Sequence, residues 1–212
     1  MNIDIALLAI AAIPVVLAIT LQEAAHGYAA YKFGDPTAMQ LGRVSLNPAQ
    51  HIDLVGTILV PALTLLFGGL LFGWAKPVPV DYARLRHPRK DMRWVALAGP
   101  AANLLMAFGW ALLLKVGLST NNYFSVPLEE MSRIGLQINL MLMAINLLPI
   151  LPLPGGRVVF SLLTPSAAQN YSRTEPYGIP ILLLLLITGL LGVIVTPIIR
   201  VAATLISTIF FL

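Results

Sequence analysis

Gln22, Glu23 and His26 fall in the run Gln22-Glu23-Ala24-Ala25-His26, inside a long apolar stretch. The spacing is that of the pattern His-Glu-x-x-His with glutamine in first place. Residues four apart share one face of a helix, so the two ends of such a pattern can hold one metal ion while the glutamate handles protons. This chain keeps the glutamate and the second histidine. Both are ionisable groups within an apolar helix, where a charge is expensive, so they must face the interior of a bundle. There they serve either as a reactive site or as a hydrogen-bonded pair that fixes packing.

Membrane helices must position them. Hydrophobic residues make up 58% of the 212 positions and charged residues 10%, with a mean hydropathy of +0.86, far from the balance of a soluble domain. A spanning helix needs about 20 mostly apolar residues. By that measure, residues 5–33, 55–75, 95–118, 132–151 and 179–212 are spans, the last long enough to be two helices broken around Thr196-Pro197. The expectation is an all-α polytopic membrane protein of five or six transmembrane helices, in a single domain over residues 1–212. The opening Met1-Asn2-Ile3-Asp4 lacks the positive region of a secretory signal, so the first apolar stretch is expected to remain as a helix. The absence of cysteine excludes a disulfide framework and a thiolate metal site.

Between these segments, residues 34–54 are polar, and 39–46 alternate partly like a strand, which predicts a small hairpin or re-entrant element near 36–53. Pro149, Pro152 and Pro154 with Gly155-Gly156 must break the fourth apolar segment. Irregular backbone at membrane depth survives only where it is buried in protein or lines a wet cavity, so this break is a candidate wall of a site. Lys76, Arg84, Arg86, Arg89, Lys90 and Arg93 outnumber Asp81 and Asp91 in the loop before the third segment. That bias places the loop in the cytoplasm, against anionic lipid headgroups rather than nucleic acid. Neither an internal repeat nor a low-complexity segment is evident.

Asn146-Leu147-Leu148-Pro149-Ile150-Leu151-Pro152-Leu153-Pro154-Gly155-Gly156 resembles the Asn-x-x-Pro-x-x-Pro-Leu-Asp-Gly-Gly motif of the site-2 protease family of intramembrane zinc metalloproteases. Ala98-Gly99-Pro100-Ala101-Ala102-Asn103 is similar to that family's Gly-Pro-x-x-Asn element. Asn47 through Asp53, with Gly56 and Pro61, and Trp74 through Val80 are similar to connecting segments of its short bacterial members without a PDZ domain. These elements occur in order from about residue 20 to 160. The resemblance implies an integral protein of a bacterial-type cell membrane that cuts transmembrane helices of substrate proteins, with zinc as cofactor and the lipid bilayer as its surroundings. It gives Glu23 the role of catalytic base, His26 that of a metal ligand, and Asn146 that of a donor to the developing oxyanion. Substrate-side positions are Gly42 and Val44, through strand addition on 39–46, and Asn103, which also closes a helix contact beside Gly99.

Two of the family's three ligand positions are substituted. Gln22 stands for the first histidine and Pro154 for the aspartate. An amide oxygen is a poor zinc donor, and proline has no side-chain donor at all. The expectation is therefore a family member with impaired or absent proteolysis that keeps the fold and its grip on substrate helices. Two alternatives stand beside it. One is an active protease rescued by ligands such as His51 and Asp53, or an active parent into which the two changes were introduced; the other is a channel or transporter with accidental motif matches.

Overall fold

The computed structural model describes residues 5–59 and 76–212. Helices dominate, and no strand forms among the described residues. Helix α1 (Ile5–Phe33) runs unbroken through Pro14. Gly34 ends it with φ +113°, a conformation that only glycine adopts freely, and the Gly34 and Asp35 amides return to the Tyr31 and Ala30 carbonyls. Asp35 is fully buried at this corner. Its carboxylate accepts hydrogen bonds from the Thr37 amide at 3.0 Å and, across the chain, from the Asp81 amide at 2.7 Å.

The strand-like alternation at 39–46 does not become a strand. Helix α2 (Thr37–Gln40) takes up its start, Gly42 turns the chain at φ +65°, and bends lead to a 3-10 turn at Pro48–His51. An alternating pattern needs a neighbouring strand to pair with, and this segment meets the side of α1 instead. Its excursion between α1 and the next apolar segment is therefore helical and irregular. Residues Leu54–Leu59 form one π-helical stretch; most of the span read at 55–75 lies outside the described residues.

Helices α3 (Pro88–Ser119) and α4 (Ser125–Asn146) form the central hairpin. Both start earlier than the apolar runs suggest. Pro88 occupies the first turn of α3, where its missing N–H costs nothing, and Asp91 accepts the His87 amide at 2.7 Å. The bend between the two helices is closed by Ser125, whose hydroxyl donates to the Thr120 carbonyl at 2.9 Å. Ala107 and Ala111 of α3 meet Leu140 and Met143 of α4 in one buried cluster, with Ile206 from the last helix. The small residues let the backbones approach. At Gly135 the approach is closest, because a Cβ there would lie 2.3 Å from the Trp110 ring.

After α4 the chain turns through Leu147–Leu153, including a cis Leu151–Pro152 peptide, into α5 (Pro154–Leu162), α6 (Pro165–Ser172), α7 (Gly178–Ile187) and α8 (Leu190–Phe210). The break expected in the last segment does exist, but not around Thr196-Pro197: α8 runs through Pro197. It falls at Thr188-Gly189, where Gly189 adopts φ +75°. A proline removes one helical hydrogen bond, whereas a left-handed residue reverses the path of the chain.

Among the described residues, α1 from Ala9, α3 and α8 are long and apolar enough to cross a bilayer. Helix α4 has the length, but Glu129, Glu130 and Arg133 charge its first turns. Replacing Gly135 with valine should push Trp110 off α4 and lower the stability of the detergent-solubilised protein by about 1–3 kcal/mol, read as an earlier thermal unfolding midpoint. Gly109→Val, where a Cβ meets nothing within 4 Å, is the control expected to unfold with the parent.

Candidate intramembrane site

Gln22 sits where α1 crosses the α3–α4 hairpin. Its side-chain oxygen accepts two hydrogen bonds, from the Asn103 amide of α3 at 2.6 Å and from the Asn146 amide of α4 at 2.9 Å. Three helices are thus joined at one atom. Asn103 is fully buried and Asn146 is 9% exposed. The Asn103 carbonyl oxygen finds no partner among the described residues.

One turn along α1, the His26 ring lies flat against α3. Its Nδ1 is 2.8 Å from the Val95 carbonyl, so Nδ1 carries the proton and donates. Its Nε2 faces Gly99 so closely that a Cβ there would lie 2.2 Å away. Only glycine leaves room for the imidazole. Gly27, the next residue, makes the same kind of contact on the other side of α1, where a Cβ would meet Val44 and Val78 at 2.9 Å each.

Glu23 turns towards the segment that precedes α3. Its carboxylate accepts the Val78 amide at 2.7 Å. Arg43 fastens the same segment from the other loop, donating to the Lys76 carbonyl at 3.0 Å and to that of Pro77 at 3.4 Å. The Lys76 amide in turn reaches the His51 carbonyl at 2.9 Å. The two connecting loops are therefore held together and against α1.

Pro154 opens α5 without a side-chain donor, and the next two glycines press onto the turn before it. A Cβ at Gly155 would come within 2.3 Å of the Leu147 carbonyl, and one at Gly156 within 2.5 Å of the Ile150–Leu151 peptide. Arg157, one residue on, forms an ion pair with Glu175 and lies over the Tyr82 ring at 5.5 Å. Burial pushes the Tyr82 phenol above its ordinary value; Arg157 opposes this, while Glu175 and Glu23 add to it.

Gln22, Asn103 and Asn146 come together in one hydrogen-bonded cluster, with His26 and Glu23 on the same helix but turned to different partners. Gly42 lies apart on an exposed turn. Val44 packs on Gly27. His51 is buried, with Nε2 2.9 Å from the Ser45 carbonyl, and Asp53 accepts the Val55 and Gly56 amides at 3.0 and 2.7 Å. Among the described residues, no three His, Asp or Glu side chains gather in a group able to hold a metal. Sequence reasoning missed Asp35, whose carboxylate bridges α1's end to the Asp81 amide; the run Gly34-Asp35-Pro36 is a turn signal that marks it. It also missed that Arg43 is the clasp between the loops.

Two curated proteins are relatives of this chain. It is 39% identical over 189 residues, 87% of its length and 83% of the relative's, to a protein of Bacillus subtilis (strain 168) named "Putative zinc metalloprotease YwhC". It is 29% identical over 181 residues, 83% of its length and 66% of the relative's, to "Putative zinc metalloprotease Rip2" of Mycolicibacterium smegmatis (strain ATCC 700084 / mc(2)155). No protein-family profile matches the chain, and no solved structure matches it.

Gln22→Leu removes the acceptor and leaves two buried amides unpaired, so it should cost about 1–3 kcal/mol. Combined with Asn103→Leu, the loss should fall short of the sum of the single losses, because the two residues share one interaction; thermal or denaturant unfolding of all three variants measures this. The raised Tyr82 phenol gives a separate signature. An unfolded tyrosine ionises near 10.0, so from that pH upward the unfolded state gives up its proton before the folded state does. Stability should fall across that window, and Tyr82→Phe should flatten the fall.

Proposed function

The chain belongs to the site-2 protease family of intramembrane zinc metalloproteases, and from that premise we propose that it is a member that binds transmembrane segments without hydrolysing them. The observation that carries this reading is the double hydrogen bond at Gln22: the atom at the first ligand position is already taken by Asn103 and Asn146. A structural or catalytic zinc needs at least three protein donors. Gln22 offers an engaged amide, Pro154 offers nothing, and His26 alone offers one imidazole nitrogen. These residues do not fit the ion.

Each residue has work that needs no metal. Glu23, the base in the family, holds the Val78 amide and so orders the segment before α3. Asn146, the oxyanion donor in the family, closes the amide cluster instead. Asn103 does the same from α3, as a support of the substrate side rather than a contact surface. What remains for a substrate helix is the rim beside α1. There Gly42 and Val44 lie among Leu41, Leu46, Ile52 and Leu54, which expose 63%, 69%, 45% and 76% of their surface. An apolar rim of this kind suits lipid or a transmembrane segment and not water. The setting is a bacterial cell membrane, as for the relatives' hosts.

The test is metal content and cleavage together. The parent chain, purified without added zinc, should carry far less than one zinc and leave a defined transmembrane substrate intact. Gln22→His combined with Pro154→Asp should raise zinc towards about one per chain and bring chelator-sensitive cleavage. Stoichiometric zinc on the parent, or chelator-sensitive cleavage by it, would overturn the reading and restore the active protease. If the parent is inert, a substrate helix that crosslinks to residues 42–44 supports retained binding, and one that crosslinks elsewhere refutes that part.

A further inference from the structure

Arg200 stands ten residues from each end of α8, which at 1.5 Å per residue is about 15 Å from either end of an apolar span. Helix α8 packs on the bundle through a face that includes Leu191, Val195, Ile198, Ile199, Ala203 and Ile206. At about 100° per residue, Arg200 points roughly 130° away from the middle of the packed face. It is exposed, and among the described residues it has neither an ion pair nor a hydrogen bond. Outside the described residues, 60–75 contain no aspartate or glutamate, and 1–4 contain one, Asp4, which precedes the first residue of α1 in sequence. A guanidinium at this depth cannot stay unpaired in hydrocarbon without a heavy cost.

The surface around it is built for close approach. Gly192, Thr196, Pro197 and Arg200 line one shallow groove, together with Val193 and Val201. Gly192, Thr196 and Arg200 are spaced by four, so two small residues lead along one ridge to the charge. Pro197 also leaves the Val193 carbonyl without its usual helical donor. Among the described residues, no carboxylate matches this arginine. Apart from Glu23, which is engaged by Val78, the chain's carboxylates lie in loops or near helix ends, so a second copy brings no acid to mid-span.

We propose that this face of α8 docks a transmembrane helix of another protein, one that carries a carboxylate near its middle. The small residues admit the partner's backbone, and Arg200 pairs with its acid, giving the affinity a charge requirement in addition to shape. The face is turned away from the one that packs on the bundle, so it is separate from the amide cluster.

The test uses the labelled full chain in phosphatidylcholine vesicles, with synthetic apolar helices that differ only in a central Asp, Asn or Leu, and energy transfer as the readout. The Asp helix should associate about 5- to 30-fold more tightly than the Leu helix. Arg200→Leu should abolish the preference, Arg200→Lys should keep part of it, and Arg200→Asp should transfer it to a helix with a central Lys. Equal association of the Asp and Leu helices, or a preference untouched by Arg200→Leu, would overturn the proposal. So would loss of the preference when anionic lipid is added, which would make a headgroup the partner. Arg200-dependent association of the chain with itself would also overturn it.

Discussion

The bundle depends on a single oxygen atom. In a bilayer, buried polar groups must find their partners within the protein, and the Gln22 carbonyl oxygen serves two of them at once, Asn103 and Asn146. Those residues come from three helices that are distant in sequence. Any shift of α1 along the hairpin breaks at least one of these bonds. The register of α1 against α3 then brings His26 onto Gly99 and Val95, and the loops follow through Glu23 and Val78.

This arrangement gives the substitution at residue 22 a structural meaning. A histidine there would bring one ring nitrogen to a metal; the glutamine brings an acceptor to two amides. The neighbours that surround such a centre in the family are present in this chain and have become its hydrogen-bond partners. Pro154 fits the same account, since proline is at home in the first turn of α5, where no N–H is needed. On the proposed reading, amide groups hold in place what in the family is the scaffold of a metal site.

Much of this was legible in the chain's order of residues. The membrane class follows from composition, and the motif around Gln22, the Gly99–Asn103 element and the proline-glycine turn before α5 mark the places that meet in space. Their actual bonding was not legible, because Gln22 lies 81 and 124 positions from its two partners and no local pattern reports such contacts. Local signals also misled. The alternation at 39–46 resembles a strand, but a strand exists only with something to pair with. Proline at 197 looked like the stronger breaker, yet Gly189 ends the helix because the direction of the chain is set by dihedral angle and not by the loss of one hydrogen bond. Depth was likewise hidden: only the packed face of α8 reveals that Arg200 looks outward.

An amide carries no proton that it can gain or lose in the range where cells live. The three side chains that meet at Gln22 are therefore neutral at any acidity the cell meets, and the bonds among them carry no charge to be gained or lost. The ionisable groups of the crossing, Glu23 and His26, sit beside this cluster and bond to backbone instead.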